Sequence, residues 1–251
     1  MFLELTPKIK FLGLSFDLTV MIGTLVTAVL VLLICTLATR RREMRPSGMQ
    51  NFVEMLVEFV QNITNMMLEP KRAEKYLGFA FTTFLFIFIA NELGVIVMIT
   101  ANTTGPLPGL GITGNLLKQA HTDSISWFKS PTSDINVTVA MAFAITIYAH
   151  IAGLFKSPKG YFRHYFEPYA WMLPLHIIDE VAKPTTHAAR LWANIFAGEV
   201  LIMILREGTF YLTGIPLMAW IGFSLFVGAI QAYIFTVLAM VYISQKIADN
   251  H

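Results

Sequence analysis

The residues best able to do chemistry in this chain sit where charge is costly. The stretch "HAARLWANIFAGEVLIMIL", residues 187–205, reads as a helix suited to hydrocarbon, yet it holds Arg190 and, nine residues on, Glu199. An arginine at mid-bilayer costs at least about 2.5–3.5 kcal/mol on insertion scales, so it needs a reason. Leu191 to Leu205 is nearly all apolar, so snorkelling in that direction would have to span about four turns. At about 100° per residue, Lys183, His187, Arg190 and Asn194 share one stripe. The small residues Ala193, Ala197 and Gly198 lie near it and let another helix come close. Glu199 is about 13 Å beyond Arg190 and half a turn round; Glu180 is about 15 Å the other way, next to Asp179. Acid, arginine, acid, each separated by turns, suits two offset polar pathways with a cationic block between them. The pattern points to a transport role; a structural ion pair, or snorkelling to the surface, is the plainer reading.

The last apolar run adds Ser224, Gln231 and Tyr233. A buried glutamine needs a partner. If the two long C-terminal segments pair antiparallel about a turn near 208–213, Arg190 and Gln231 fall at similar depth. Glutamine as helix–helix glue is the simpler alternative.

Other chemistries find little support. The six histidines show no HExxH or other metal spacing, and His150 reads as an interfacial residue rather than a ligand. Cys35 is the single cysteine, which excludes an intrachain disulfide or a cysteine metal cluster. No GxxxxGK[ST] loop is present to hold nucleotide phosphates. The net charge is only +2, and no basic run is interleaved with stacking aromatics, so nucleic acid is not expected. No cofactor is expected. The N-x-[ST] matches at Asn62, Asn102 and Asn136 read as coincidence.

The elements that must position these residues belong to a membrane. Of 251 residues 55% are hydrophobic and 14% charged, against roughly 25% charged in soluble domains; the mean hydropathy is +0.62. The expected fold is all-α, a single integral membrane domain. Apolar runs near the ~20 residues that cross a bilayer predict spans at about 18–39, 77–100 and 135–155, the second interrupted by Asn91 and Glu92. A Gly/Pro-rich loop, "TTGPLPGLGITGN", separates the second from the third. Residues 169–206 and 214–245 are too long to cross upright and predict a steeply tilted helical hairpin; Gly208 to Gln245 has no charged residue. Residues 50–68 place Glu54, Glu58, Gln61 and Asn65 at helical spacing and predict an amphipathic helix along the interface or against other spans. The N-terminal "MFLELTPKIKFLGLSFD" reads as a mature end. The loop after the first span holds Arg40, Arg41, Arg42, Arg45, Lys71, Arg72 and Lys75. The loop after the third holds Lys156, Lys159 and Arg163, whereas the loop between the second and third has only Lys118 and Lys129. The positive-inside rule then puts the N-terminus outside and the 40–76 loop and C-terminus in the cytoplasm.

Three stretches resemble subunit a of F-type ATP synthases: "KPTTHAARLWANIFAGE" (183–199), "QAYIFTVLAMVYIS" (231–244) and "PTSDINVTVAMAF" (131–143), in matching order and spacing. The resemblance implies a non-catalytic stator subunit. It would pack against a rotating ring of small proteolipid subunits c, with peripheral stalk subunit b and the rest of the synthase as further partners, in a bacterial plasma membrane. It implies that Arg190 is the essential arginine between two half-channels. Glu199 is then the acid of the outer one, Asn194 a polar residue on the pore side, and Gln231 the glutamine near the arginine. Some members partner the acid with a histidine in the last helix; here Ser224 stands near that place. Asp179 and Glu180 are the candidates for the inner half-channel, with His187 on the arginine's stripe. The reading from another class is a stand-alone secondary transporter with an intramembrane ion-pair gate; a purely structural scaffold is a third.

Overall fold

The computed structural model describes residues 5–247 except 12, 41–42, 46, 104, 113–123, 157, 159–160, 162–168 and 209. The expectations that fall on Arg41, Arg42, Lys118, His121, Lys159, Arg163, His164 and His251 lie outside the described residues.

The chain opens with a short antiparallel hairpin, β1 (Lys8–Phe11) and β2 (Leu14–Asp17). Gly13 turns it at φ +81°, a conformation that glycine adopts without strain. Asp17 then caps α1 (Leu18–Thr39): its carboxylate accepts from the Thr19 amide at 3.0 Å, the Thr19 hydroxyl at 2.6 Å and the Thr6 hydroxyl at 2.6 Å. Burial pushes the Asp17 carboxyl up, but the Thr19 and Thr6 bonds and the Lys129 charge outweigh it and hold the carboxyl below its usual range.

Helix α2 (Gly48–Met67) is the expected amphipathic helix. Val53, Val60, Ile63 and Thr64 are buried on one face, while Glu54, Glu58, Gln61 and Asn65 are exposed on another. It packs against other helices, with Phe59 between Phe84 (5.6 Å) and Tyr233 (5.9 Å). A third strip, Phe52, Met55 and Met66, is apolar and exposed.

Helix α3 runs from Pro70 to Ile96, not over 77–100. Pro70 starts the helix at its first position, where a missing N–H costs nothing; Lys71, Arg72 and Lys75 hide that first turn from a hydropathy reading. At the other end the β-branched residues 99–100 leave the helix for β3 (Ile99–Asn102), which pairs antiparallel with β4 (Ser124–Phe128). A 3-10 turn at Pro131–Ser133 leads into α4 (Ile135–Lys156). Another at Ala170–Met172 precedes α5 (Leu173–Glu207), and α6 (Phe210–Ile247) follows. The helical hairpin is thus observed, its second helix beginning four residues earlier than 214.

Five helices, all but α2, are long and apolar enough to cross a membrane. This is an all-α membrane protein carrying two small two-stranded sheets. Helices α3 to α6 share one core around Phe84, Ile87, Leu191, Ile195, Phe235 and Met240. Between apolar helices in lipid, close packing replaces the hydrophobic drive. Alanines fill the contacts accordingly: Ala80, Ala90, Ala142, Ala149, Ala188, Ala232 and Ala239 are at most 1% exposed.

Candidate functional site

Glu199 is 2% exposed, in the second half of α5. A carboxyl there needs a donor, and the backbone N–H of Ser130 supplies one to Oε1 at 3.0 Å. Ser130 is held in turn. Its hydroxyl donates to the Ala90 carbonyl at 2.9 Å and shares a 2.6 Å bond with the Thr132 hydroxyl. Thr132 Oγ1 donates to Asn91 Oδ1 at 2.6 Å, and Asn91 Nδ2 donates to the Gly228 carbonyl of α6 at 3.0 Å. A buried polar layer thus runs from α5 through the 131–133 turn and α3 to α6. Gly94 makes the layer possible. A Cβ there would lie 2.2 Å from the Ser130 Cβ and 3.0 Å from Glu199 Oε1.

Helices α5 and α6 pair antiparallel, as expected, with a definite register. Asn194 Nδ2 donates to Gln231 Oε1 at 2.8 Å. The Trp220 indole donates to the Gly198 carbonyl at 3.3 Å, and the His187 ring lies tilted against Phe235, their centroids 3.8 Å apart. Gln231 therefore meets Asn194, one turn past Arg190, instead of Arg190 itself. The register follows packing of Gly198 against Ser224, which a count from the turn cannot include. Asn194 and Ser224 also line a cavity of about 230 Å³ between α3, α5 and α6.

Arg190 is exposed on α5, and no hydrogen bond or ion pair joins it to another described residue. His187, 1% exposed, is packed between Phe235 and Tyr242. On the other side of Arg190, Glu180 is surrounded by basic side chains. The Lys246 ammonium contacts it, His150 Nε2 is 3.2 Å away and Lys183 Nζ 3.8 Å. Tyr161 bonds the far ring nitrogen of His150 at 2.7 Å. Asp179 is exposed and outside this cluster. The sequence-predicted residues therefore fall into three places along the helical hairpin. Glu199 lies in the polar layer, Ser224 beside it with Asn194 and Gln231; Arg190 stands on the exposed face with His187 behind it; Glu180 sits in the basic cluster.

Sequence reasoning missed Ser130, Thr132 and Asn91 as neighbours of Glu199, and His150 and Lys246 as neighbours of Glu180. Their signal was weak: Asn91 and Glu92 were visible as polar breaks in an apolar run, and His150 as a histidine near a helix end.

The family model described as ATP synthase A chain matches residues 21–244. ATP synthase subunit a of Priestia megaterium is 37% identical over 253 residues, covering 98% of both chains. The Bacillus subtilis subunit a is 38% identical over 258 residues, 97% of each, and that of Listeria welshimeri 37% over 254 residues, 98% of each.

Proposed function

This chain belongs to the ATP synthase A chain family and so is part of the membrane sector of an F-type ATP synthase, and from that premise we propose that it is the stator subunit that conducts protons to and from the rotating proteolipid ring. It is non-catalytic and holds no nucleotide. The reading rests above all on one arrangement: an exposed Arg190 on α5, unpaired among the described residues, between a buried acid, Glu199, and a second acid, Glu180, several turns away on the other side.

A ring carboxyl arriving from lipid is protonated, because desolvation disfavours its charged form. Beside the Arg190 guanidinium the ionised form is favoured, and the proton leaves along one half-channel. Glu199, with Ser130, Thr132, Asn91, Asn194, Gln231 and Ser224 around it, serves the outer half-channel. Glu180 and His150 serve the inner one, with exposed Asp179 at its mouth. The Ser130 amide takes the place that a last-helix histidine holds in some relatives. Arginine stays charged at all relevant pH values, so no proton passes the block directly. Each crossing releases about 2.3 kcal/mol per 100 mV, which the ring converts to rotation. The long α5 and α6 lie steeply tilted along the ring. Peripheral stalk subunit b and the rest of the synthase hold the subunit still. The membrane is a bacterial plasma membrane, with the N-terminus outside and the C-terminus in the cytoplasm. In a cysteine-free background, Lys129→Cys labels from outside and Lys75→Cys from the cytoplasm.

Arg190→Ala tests the function. In assembled complexes it should abolish ATP-driven proton pumping and open a passive leak. Retained pumping would refute the assignment.

A further inference from the structure

Glu92 has no place in the scheme above. It lies on α3, next to Asn91, inside a membrane-spanning helix. Its Oε1 is buried and has no hydrogen-bond partner, and no cation pairs with it among the described residues. That oxygen faces Gly228 of α6; a Cβ on Gly228 would lie 3.1 Å from it. Gly228 is also the residue whose carbonyl accepts from Asn91. Helix α6 brings no charge to the site, since Gly208 to Gln245 has none. An acid in a spanning segment without a counter-ion is costly and points to use rather than support.

The position is informative. Glu92 and Gly94 are two residues apart, so about 3 Å along α3, and Glu199 Oε1 sits against Gly94. One carboxyl therefore projects from α3 and the other reaches it from α5 at similar depth, on roughly opposite sides of the helix. The Ser130–Thr132–Asn91 chain runs between them on the buried side of the helix. The cavity of about 230 Å³ is lined by Val95, one turn on from Glu92, by Val227, next to Gly228, and by Gly198, next to Glu199. Asn194 and Ser224 add polar groups to its wall, and its size admits several waters at about 30 Å³ each.

We propose that Glu92 is a second proton-exchanging carboxyl of the half-channel that Glu199 serves, the two acids bracketing the Ser130–Thr132–Asn91 layer and passing one proton between them by way of the cavity. The step is a proton transfer alone: the O–H bond of one carboxyl breaks as an O–H bond forms on the other, and no oxidant or reductant is needed. In low dielectric the ionised form of either disfavours ionisation of the other, which keeps about one proton in the layer and lets each arrival push the next one on. The inference rests on the proposed function. Gly228 of α6 faces Glu92; across α3 stand Glu199 from α5 and Ser130 and Thr132 from the turn before α4.

The test is ATP-driven pumping by assembled complexes in sealed vesicles, measured from about pH 6 to 9, with Arg190→Ala alongside. Glu92→Gln should lower the rate about tenfold or more and flatten the pH profile. Glu92→Asp should restore much of the rate with a displaced profile. Wild-type rate and profile in Glu92→Gln, with Arg190→Ala inactive, overturns the inference and leaves the proposed function standing. Normal pumping in both removes the function as well. If Glu92→Gln fails to assemble, Glu92→His is compared with Glu92→Met: pumping only by the titratable histidine supports the inference, and equal rates overturn it.

Discussion

The amide of Ser130 donates to the carboxylate of Glu199 across 3.0 Å, although 69 residues separate the two in sequence. That bond ties the turn before α4 to the second half of α5 and sets the acid against Gly94 of α3. An amide donor does not titrate, so it fixes the position of Glu199 without competing for its proton.

Replacing Glu199 by Gln keeps this geometry, because the amide oxygen can still accept from Ser130. Assembly should therefore be normal, while coupled proton flux falls by about 100-fold for want of a titratable group. The paired measurements are subunit recovery after purification and ATP-driven quenching of a pH dye. Unchanged flux at normal assembly would make Glu199 structural.

Gly94 should tolerate nothing larger. A methyl group there meets Ser130 at 2.2 Å, including a neighbour on the backbone side at 2.9 Å. Overpacking of this kind costs about 1–3 kcal/mol. Gly78 on the same helix has open space around it, so Gly78→Ala should stabilise by up to about 1 kcal/mol. Thermal unfolding of the two variants should move in opposite directions; a similar shift in both would contradict the close approach of α3 to the polar layer.

The α5–α6 register predicts a rescue. Arg190→Gln alone should be inactive. Adding Gln231→Arg puts a guanidinium on α6 one turn from the original site, within reach of the same ring carboxyl, and should recover part of the ATP-driven pumping. Ser224→Arg faces Gly198 instead, about two turns further along, and should recover none. Equal rescue by both would show that the cation's position along the hairpin does not matter.

Asp17 gives a pH signature at the other end of α1. Its carboxyl is held below the usual value of 3.8 in the folded protein. The cap's contribution is therefore fully present above that value and is lost as pH falls through the lower folded value. Asp17→Asn keeps an oxygen that can accept from Thr19 but removes the charge that strengthens these bonds, so it should destabilise at neutral pH. The gap from wild type, read by thermal unfolding, should narrow only below about pH 4. A gap that persists unchanged into stronger acid would mean that the charge on Asp17 contributes nothing to the cap.

The spans, the amphipathic helix and the hairpin were legible because hydropathy and helical period are sums over neighbours in sequence. The same holds for the Arg190–Glu199 and Arg190–Glu180 spacings, which one helix fixes at 1.5 Å per residue. Lateral partners are different. Which side chain meets Glu199 depends on how far α3 and the 131–133 turn approach, and that is set by the missing Cβ of Gly94. Whether Gln231 meets Arg190 or Asn194 depends on a slide of about one turn between α5 and α6, which Gly198 against Ser224 and Trp220 helps to fix. Glu180 reads as one acid among several until α6 brings Lys246 and α4 brings His150 to it. Rotation and register of packed helices arise from side-chain volumes on two chains of contacts at once, and only the tertiary structure supplies both.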